Sequence, residues 1–250
     1  MRVAVVGGAG MIGGPLVAEL LDRGHDVRVI SRGSSDRQPP PGAAHFVADV
    51  ATGENLEEAL AGVEAVVDAT SSRRRPREVM VEGTRRLVEV GSRAGVRHHL
   101  LISIVGCDRV STTYYRCKAI QEEVLGAGRV PWSVLRSTQV HPFVAEWLEG
   151  AARFGLRPTG AMRLQPIDVD VVGRRIADAL EADPAGRLPD VGGPEVQTLG
   201  ELSGAWQRAS DRRLLPLRLP SIGRLGRSLR DGGLCNEAAA APGPTFEEWL

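Results

Sequence analysis

The sequence contains few cysteines, and their spacing does not fit a disulfide framework. Cys107, Cys117 and Cys235 are an odd number, and no two of them form a CxxC pair. This pattern argues against a disulfide scaffold and against a zinc site. We therefore expect no metal, three small partly buried thiols, and a reducing, cytoplasmic setting.

The chain also has no net charge, few aromatic residues and no long apolar run. The 31 basic and 31 acidic residues balance to zero, so nothing favours nucleic acid or an anionic membrane as an obligatory partner. Aromatic residues make up only 4% of the chain, too few for base-stacking platforms. No apolar run approaches the roughly 20 residues of a membrane span. We expect no signal peptide, because the sequence enters an apolar strand at once. We expect a small-molecule substrate, and a monomer or a homodimer.

Lysine and tyrosine are nearly absent, and the few that remain are adjacent. Lys118 is the single lysine among the 31 basic residues, and Tyr114 and Tyr115 are the only tyrosines. Arginine serves as an ordinary surface charge elsewhere in this chain. The retained lysine therefore indicates that position 118 needs a compact ammonium group, with chance as the alternative.

What is abundant is an alternation of short apolar runs with amphipathic segments. Strands are predicted at Val3–Val6, Val27–Ile30, His45–Ala48, Ala65–Asp68, Leu100–Ser103 and Trp132–Leu135. Helices are predicted between them at Pro15–Asp22, Glu54–Leu60, Arg77–Ala94 and Tyr114–Leu125. The alternation predicts βαβ units and an α/β fold with a Rossmann-type doubly wound parallel sheet.

Beyond about residue 140 the pattern loosens. Helices are predicted at Ala145–Phe154 and Asp168–Ala182, the second with Asp168 or Asp170 as its N-cap. From Leu188 onward proline and glycine are frequent. We interpret 1–250 as a single domain, with a core of about 1–140 and a small C-terminal substrate lobe of about 141–250.

The run GGAGMIG at residues 7–13 joins the first strand to the first helix. One glycine allows a sharp turn, a second allows the backbone to approach a pyrophosphate, and a third allows close helix–strand packing. Free N–H groups at the helix start attract phosphate. The loop predicts a nicotinamide dinucleotide held by Gly7, Gly10, Met11, Ile12 and Gly13, with a ligand-free turn as the alternative.

The end of the second strand bears on the choice of cofactor. In an NAD-binding protein, an acidic residue about 20 positions beyond the loop binds the ribose 2′-hydroxyl. This chain has Ser31 and Arg32 there and no carboxylate. Arg32 can pair with a 2′-phosphate and Ser31 can hydrogen-bond to it, so NADP(H) is preferred and NAD(H) remains possible. A solvated loop arginine is the alternative.

Two more strand ends are predicted to meet the cofactor. Asp49 and Val50 follow the third strand and are placed to meet the adenine. Ala69, Thr70 and Ser71 follow the fourth strand and are placed along the path to the nicotinamide ribose.

The spacing Tyr114-x-x-x-Lys118 suggests catalysis. Residues four apart lie on one face of a helix. A lysine there lowers the pKa of a tyrosine hydroxyl and grips the nicotinamide ribose, so that the tyrosine exchanges a proton while the cofactor exchanges a hydride. Ser103, at the end of the fifth strand, is placed to hold a substrate carbonyl or hydroxyl.

Together these motifs resemble the atypical short-chain dehydrogenase/reductase family, in its NmrA-like NAD(P)-binding branch. The resemblance rests on the glycine loop, Ser103–Gly106, Tyr114-x-x-x-Lys118 and Leu135–Gln139, and it extends to Gln165–Val169, Gly192–Glu195 and Thr245–Leu250. It implies a nicotinamide site between core and C-terminal lobe. It also places Ser103, Tyr114 and Lys118 on the family's serine, tyrosine and lysine positions. The interval from Ser103 to Tyr114 is shorter than in many relatives, and Tyr115 competes with Tyr114.

The sequence thus predicts an NADP(H)-dependent oxidoreductase. Hydride would pass between the nicotinamide and a small or medium organic carbonyl, alcohol or activated alkene. A non-catalytic redox-sensing regulator is one alternative, since the branch contains such members. An epimerase or dehydratase that uses a bound cofactor is another.

Overall fold

The fold is organised around one parallel sheet, seen in a computed structural model that describes residues 1–33 and 39–250. Its seven strands follow the order β3-β2-β1-β4-β5-β6-β9. The strands are β1 Arg2–Val6, β2 Asp26–Ser31, β3 Ala44–Val47, β4 Ala65–Asp68, β5 His98–Ile104, β6 Trp132–Ser137 and β9 Gly186–Arg187. All pair in parallel. Strand order reverses between β1 and β4, and such a switch point is where ligands bind.

Helices cover both faces of the sheet. They are α1 Gly13–Asp22, α2 Leu56–Leu60, α3 Gly83–Ala94, α4 Thr113–Gly126, α5 His141–Ala152, α6 Val169–Glu181, α7 Leu199–Ser210, α8 Gly223–Arg230 and α9 Phe246–Trp249. Side chains alternate along β1, so Val3 and Val5 pack in one apolar cluster with α1 and α6. Ala4 and Val6 pack in another with α2 and α3. The predicted doubly wound sheet is confirmed.

Local expectations hold with small differences. Asp168 is the N-cap of α6, and its carboxylate accepts hydrogen bonds from the N–H groups of Asp170 and Val171. The segment predicted as one helix over Arg77–Ala94 begins with a π-helical stretch, Arg77–Glu82, before α3. All three cysteines are free thiols, and they are buried rather than partly buried as predicted.

The C-terminal residues build a smaller apolar cluster of their own. It contains Val144, Leu148, Leu199, Leu202, Trp206 and Phe246. Two short strand pairs flank it: β7 Leu156–Thr159 beside β11 Leu215–Arg218, and β8 Arg163–Leu164 beside β10 Gln197–Thr198. Since α6 packs on α1 and β9 joins the main sheet, the chain crosses back to the core after residue 140. The boundary at about 140 therefore stays a proposal.

Helix α7 went unpredicted, although it has a strong start signal. Thr198 and Glu201 form a capping box in which each side chain accepts from the other residue's backbone N–H. Gly200 and Gly204 interrupt the apolar pattern behind this cap. Glycine and proline are frequent around it, and the sequence was assigned there only to a small C-terminal lobe, with no helix predicted.

Candidate cofactor and active site

A cavity of about 1400 Å³ lies at the carboxyl ends of the parallel strands. Every residue that the sequence analysis assigned to cofactor or catalysis lies on its wall. These are Gly7, Gly10, Met11, Ile12, Gly13, Ser31, Arg32, Asp49, Val50, Ala69, Thr70, Ser71, Ser103, Tyr114 and Lys118. Residues from six different elements or loops are thus brought to one surface by the sheet topology.

The glycine loop has the shape that a dinucleotide needs. Gly7 has φ +81°, and a Cβ there would lie 3.0 Å from the carbonyl oxygen of Ala69. A Cβ on Gly13 would lie 2.3 Å from the Gly7 oxygen, so only glycine lets α1 start this close to β1. Within the described ranges, the N–H groups of Met11 and Ile12 make no backbone hydrogen bond. Free N–H groups at a helix start suit phosphate oxygens, so this loop fits a pyrophosphate.

At the end of β2, Arg32 is exposed and has no ion pair within residues 1–33 and 39–250. The Ser31 hydroxyl is 2.8 Å from His45 Nε2 and accepts from the N–H of Gly33 at 3.4 Å. His45 therefore joins Ser31 and Arg32 beside the expected position of a ribose 2′ substituent. His45 could not be assigned to the site from the sequence, because it comes from β3 and only the parallel pairing brings it to Ser31.

Asp49 and Val50, the predicted adenine contacts, have partners within the protein. The Asp49 carboxylate accepts the N–H of Ala51 at 2.8 Å, which forms a tight turn after β3. Val50 is buried and packs against Gly83 at the start of α3. Their adenine contacts stay predictions, since these roles in the turn and core already explain both side chains.

Lys118 is buried, with 3% of its surface exposed. Its ammonium donates to the Gln121 side-chain oxygen at 2.8 Å and to the Thr70 carbonyl oxygen at 3.2 Å. Burial lowers the pKa of Lys118 to about 8, and the negative charge of Asp68 opposes that shift. The group therefore carries its proton at neutral pH and loses it on mild alkalinisation.

A buried polar network supports this lysine. The Asp68 carboxylate, fully buried, accepts from the N–H of Thr70 at 2.9 Å, from the Gln121 amide at 3.1 Å and from the Thr84 hydroxyl. Gln121 thus donates to Asp68 while it accepts from Lys118, so its amide orientation is fixed from both sides. Such a network is stabilising when every polar group has a partner. Sequence analysis missed Asp68, Thr84 and Gln121, which come from three separate elements.

The two tyrosines differ in their surroundings. The Tyr114 hydroxyl is 2.9 Å from the Ser71 hydroxyl, at the edge of the cavity. Tyr115 lines the cavity too, and burial raises the pKa of its hydroxyl to about 12. The rings meet edge to face at 5.4 Å. Tyr114 and Lys118 share the cavity wall, although the hydrogen bonds of Lys118 go to Gln121 and Thr70.

Ser103 takes part in a second polar cluster. Its hydroxyl donates to the Glu122 carboxylate, which also receives two hydrogen bonds from Arg136, each of 2.7 Å. Arg136 donates in addition to Asp108 at 2.9 Å. The Ser103 proton is therefore already committed, and only the oxygen lone pairs are left for a substrate hydroxyl. Orientation of a carbonyl by Ser103 stays a prediction.

The far end of the cavity is aromatic, which sequence analysis did not foresee. Phe143, Trp147 and Phe154 line it, together with small residues of α5. The first two are four residues apart on one face of α5, and Phe154 follows the end of the helix. The guanidinium of Arg73 lies over the Phe143 ring, 4.9 Å from its centroid. The signal was present as helical spacing, but such spacing also describes an ordinary core face.

Within the part of the chain that the structure describes, no cluster of three or more histidine, cysteine or carboxylate side chains could hold a metal ion. No helix in residues 1–33 or 39–250 combines the length and apolar character of a membrane span.

Parts of this chain are similar to known proteins. A family model described as NAD(P)H-binding matches residues 7–142, more than half of the chain. A 3-beta-hydroxysteroid dehydrogenase from Mycolicibacterium neoaurum is 40% identical over 114 residues, which are 38% of this chain and 30% of that protein. A photosystem II assembly factor from Synechocystis is 32% identical over 111 residues, 42% of this chain and 34% of that protein. The chain spans about a third of the length of these relatives.

Solved structures share the fold. The Thermus thermophilus UDP-glucose 4-epimerase in complex with NAD superposes with a TM-score of 0.74 and 23% identity, covering 90% of this chain and 88% of that one. At this identity the likeness shows the fold alone. Because the family match covers more than half of the chain, the chain belongs to the NAD(P)H-binding family.

Proposed function

We propose that this protein is an NADP(H)-dependent oxidoreductase that exchanges a hydride between the nicotinamide and an organic carbonyl or alcohol. One observation carries the proposal. The glycine loop, the buried Lys118 and the hydroxyl of Tyr114 lie on the wall of the same cavity, at the switch point of the sheet. A cofactor lying on the loop and extending along the strand ends would reach both side chains. We also propose a reducing, cytoplasmic setting, which the three free thiols support.

Each residue has a chemical task in this proposal. When bound, the cofactor supplies or accepts the hydride. The N–H groups of Met11 and Ile12 hold phosphate oxygens, and Arg32 pairs with the 2′-phosphate. Lys118 donates to the nicotinamide ribose and places a positive charge near Tyr114. The Tyr114 hydroxyl gives its proton to the substrate oxygen, or takes it in the reverse direction.

The aromatic end of the cavity limits the chemical class of substrate that would bind there. Phe143 and Trp147 bury apolar rings far better than they bury a charged sugar diphosphate. We therefore propose an apolar, ring-bearing ketone, secondary alcohol or activated alkene of small or medium size. The named activity of the mycobacterial relative, a hydroxysteroid dehydrogenase, is of this chemical kind.

The test is steady-state oxidation of NADPH, followed by its absorbance, with a panel of cyclic ketones. The proposal is supported if the wild type turns over a substrate and if Tyr114→Phe and Lys118→Ala each abolish this turnover. Turnover on an identified substrate that survives both substitutions contradicts it. Cofactor that remains bound and unconsumed during turnover would instead favour an epimerase or a dehydratase.

Arg32→Ala tests the assignment of the cofactor. The exposed guanidinium forms charge-assisted hydrogen bonds to a 2′-phosphate, which NADH lacks. We expect calorimetry to show NADPH binding about tenfold weaker, an exposed-site value, with NADH binding unchanged. Equal loss for both cofactors, or tighter wild-type binding of NADH, would refute the role of Arg32.

The pKa of Lys118 predicts a pH dependence of cofactor binding. The free protein loses the Lys118 proton as the pH rises through about 8, whereas a ribose and phosphates nearby favour the ammonium form. NADPH binding then takes up a proton, and the affinity should fall by up to about tenfold per pH unit above that point. Lys118→Met should bind NADPH more weakly than the wild type at pH 7, and its affinity should not change as the pH rises through about 8. A wild-type affinity that is constant across this range would contradict the assignment.

A non-catalytic cofactor-binding regulator is a second candidate. The hydrogen bond from Ser103 to Glu122 favours it, because the residue expected to orient a substrate is already engaged. The Synechocystis relative is named as a photosystem II assembly factor. Cofactor-dependent association with a protein partner, without NADPH oxidation, would support this candidate.

A further inference from the structure

An exposed segment beside the cavity combines positive charge with apolar side chains. We call residues 212–230 the basic segment; it comprises β11, α8 and the residues around them. It contains six arginines and no acidic residue. The neutral overall charge of the chain, which argues against an obligatory membrane partner, hides this local concentration.

Most of these arginines have no ion pair with any residue that the structure describes. Arg212 pairs with Glu149 at 3.0 Å, and Arg230 pairs with the adjacent Asp231 at 2.9 Å. The other four have no ion pair with any described residue; they are Arg213, Arg218, Arg224 and Arg227. All four are exposed. The segment therefore presents a positive charge that the rest of the described chain does not neutralise.

The same segment exposes aliphatic side chains. Of the eight large apolar side chains exposed among the described residues, four lie here, and Leu215 and Ile222 are 72% and 77% exposed. The other two are Leu217 and Leu225. A monomeric surface normally scatters such residues singly, so a concentration of them marks an interaction site.

The position of the segment links it to the cavity. The N–H of Leu215 donates to the carbonyl oxygen of Gly155 at 2.9 Å. Phe154, which precedes Gly155, lines the cavity and is 81% exposed. The basic segment therefore lies next to the aromatic end of the cavity.

We propose that the basic segment docks this protein on an anionic membrane surface, with the aromatic end of the cavity beside the lipid. Arginines interspersed with Leu and Ile are the composition of segments that lie in a lipid interface, where the charges meet headgroups and the apolar chains enter the acyl boundary. Nucleic acid would leave the aliphatic side chains exposed to water. A second copy related by a two-fold axis would bring six arginines against six. The docking is independent of the proposed function, since the segment contains none of its catalytic residues.

Co-sedimentation of the full chain with vesicles tests the proposal. We expect binding to vesicles of phosphatidylcholine mixed with phosphatidylglycerol, little binding to phosphatidylcholine alone, and release by salt. Each arginine near an anionic surface contributes about a fivefold factor. Arg224→Glu combined with Arg227→Glu should therefore weaken binding by at least about 25-fold, and Leu215→Ser with Ile222→Ser should also weaken it.

Arg174→Glu with Arg175→Glu is the matched control, because both arginines are exposed, unpaired among the described residues and carried by a helix, α6. It should bind vesicles like the wild type. NADPH binding by calorimetry verifies that every variant is folded. Wild-type protein that stays in the supernatant with both vesicle types overturns the proposal, as does an equal loss in the control. A dimer that Arg224→Glu with Arg227→Glu dissociates would assign the segment to a second copy. Tight binding of polyglutamate that the Leu215 and Ile222 changes do not affect would assign it to an acidic protein.

Discussion

Tyr114→Phe should lower kcat by about 10²–10⁴-fold, the usual contribution of a positioned proton donor. The substitution removes one hydroxyl and keeps the ring that lines the cavity. Its hydrogen bond to Ser71 is lost, but the phosphate and ribose contacts proposed for the loop and Lys118 are untouched. NADPH affinity should therefore stay within about twofold of the wild type. Stopped-flow absorbance of NADPH, with the best substrate of the ketone panel, gives both quantities.

Tyr115→Phe is the matched control. It removes the same hydroxyl from the neighbouring ring, whose raised pKa of about 12 makes it a poorer proton donor at neutral pH. We expect kcat to change by less than about threefold, because no proton passes through this group. A large loss in Tyr115→Phe, with Tyr114→Phe active, would transfer the catalytic role to Tyr115. Full activity in both would remove tyrosine from the mechanism.

Gly13→Ala should abolish measurable NADPH binding. Its Cβ would lie 2.3 Å from the Gly7 oxygen and 2.7 Å from the Gly8 Cα, and both of these are backbone atoms. The loop and the start of α1 must separate to admit it. At least two charge-assisted hydrogen bonds to the pyrophosphate are then lost, at about 1.5–3 kcal/mol each, which corresponds to more than about 100-fold in affinity. Calorimetric titration with NADPH measures it, and the unfolding temperature should fall as well.

Gly14→Ala, one residue further along α1, separates this effect from a general intolerance of the helix. A Cβ there has no neighbour nearer than 4.0 Å. NADPH binding should be preserved, and the free energy of unfolding should be unchanged or higher by about 0.5–1 kcal/mol, since alanine is the better helix former. If the two variants bound NADPH equally well, the pyrophosphate would not lie on this loop.

The sequence was sufficient for features that depend on neighbours along the chain. Strand β1 was predicted because its apolar run is short and uninterrupted. The glycine loop was predicted because turn, phosphate approach and close packing all need glycine within a few residues. An aspartate N-cap for α6 needed only the helix that follows it, although the sequence left Asp168 and Asp170 open and the structure assigns Asp168. In each case the physical cause lies within one turn or one strand of the residue concerned.

The polar networks could not be predicted in this way. Asp68 and Gln121 are 53 positions apart, and Ser103 and Glu122 are 19 apart. Their contacts arise from the packing of α4 on the sheet, which no local pattern records. Ser103 shows the consequence. Its place at a strand end predicted a contact with the substrate, whereas its hydroxyl donates to Glu122, which also accepts from Arg136.

A crystal structure of the complex with NADPH would show directly where the cofactor binds. We expect the pyrophosphate at the N–H groups of Met11 and Ile12, and the 2′-phosphate beside Arg32. It predicts the nicotinamide ribose within about 2.7–3.2 Å of the Lys118 ammonium, with the Tyr114 hydroxyl facing the nicotinamide. A cofactor whose nicotinamide lies away from Tyr114 and Lys118, or whose phosphates avoid the glycine loop, would contradict it.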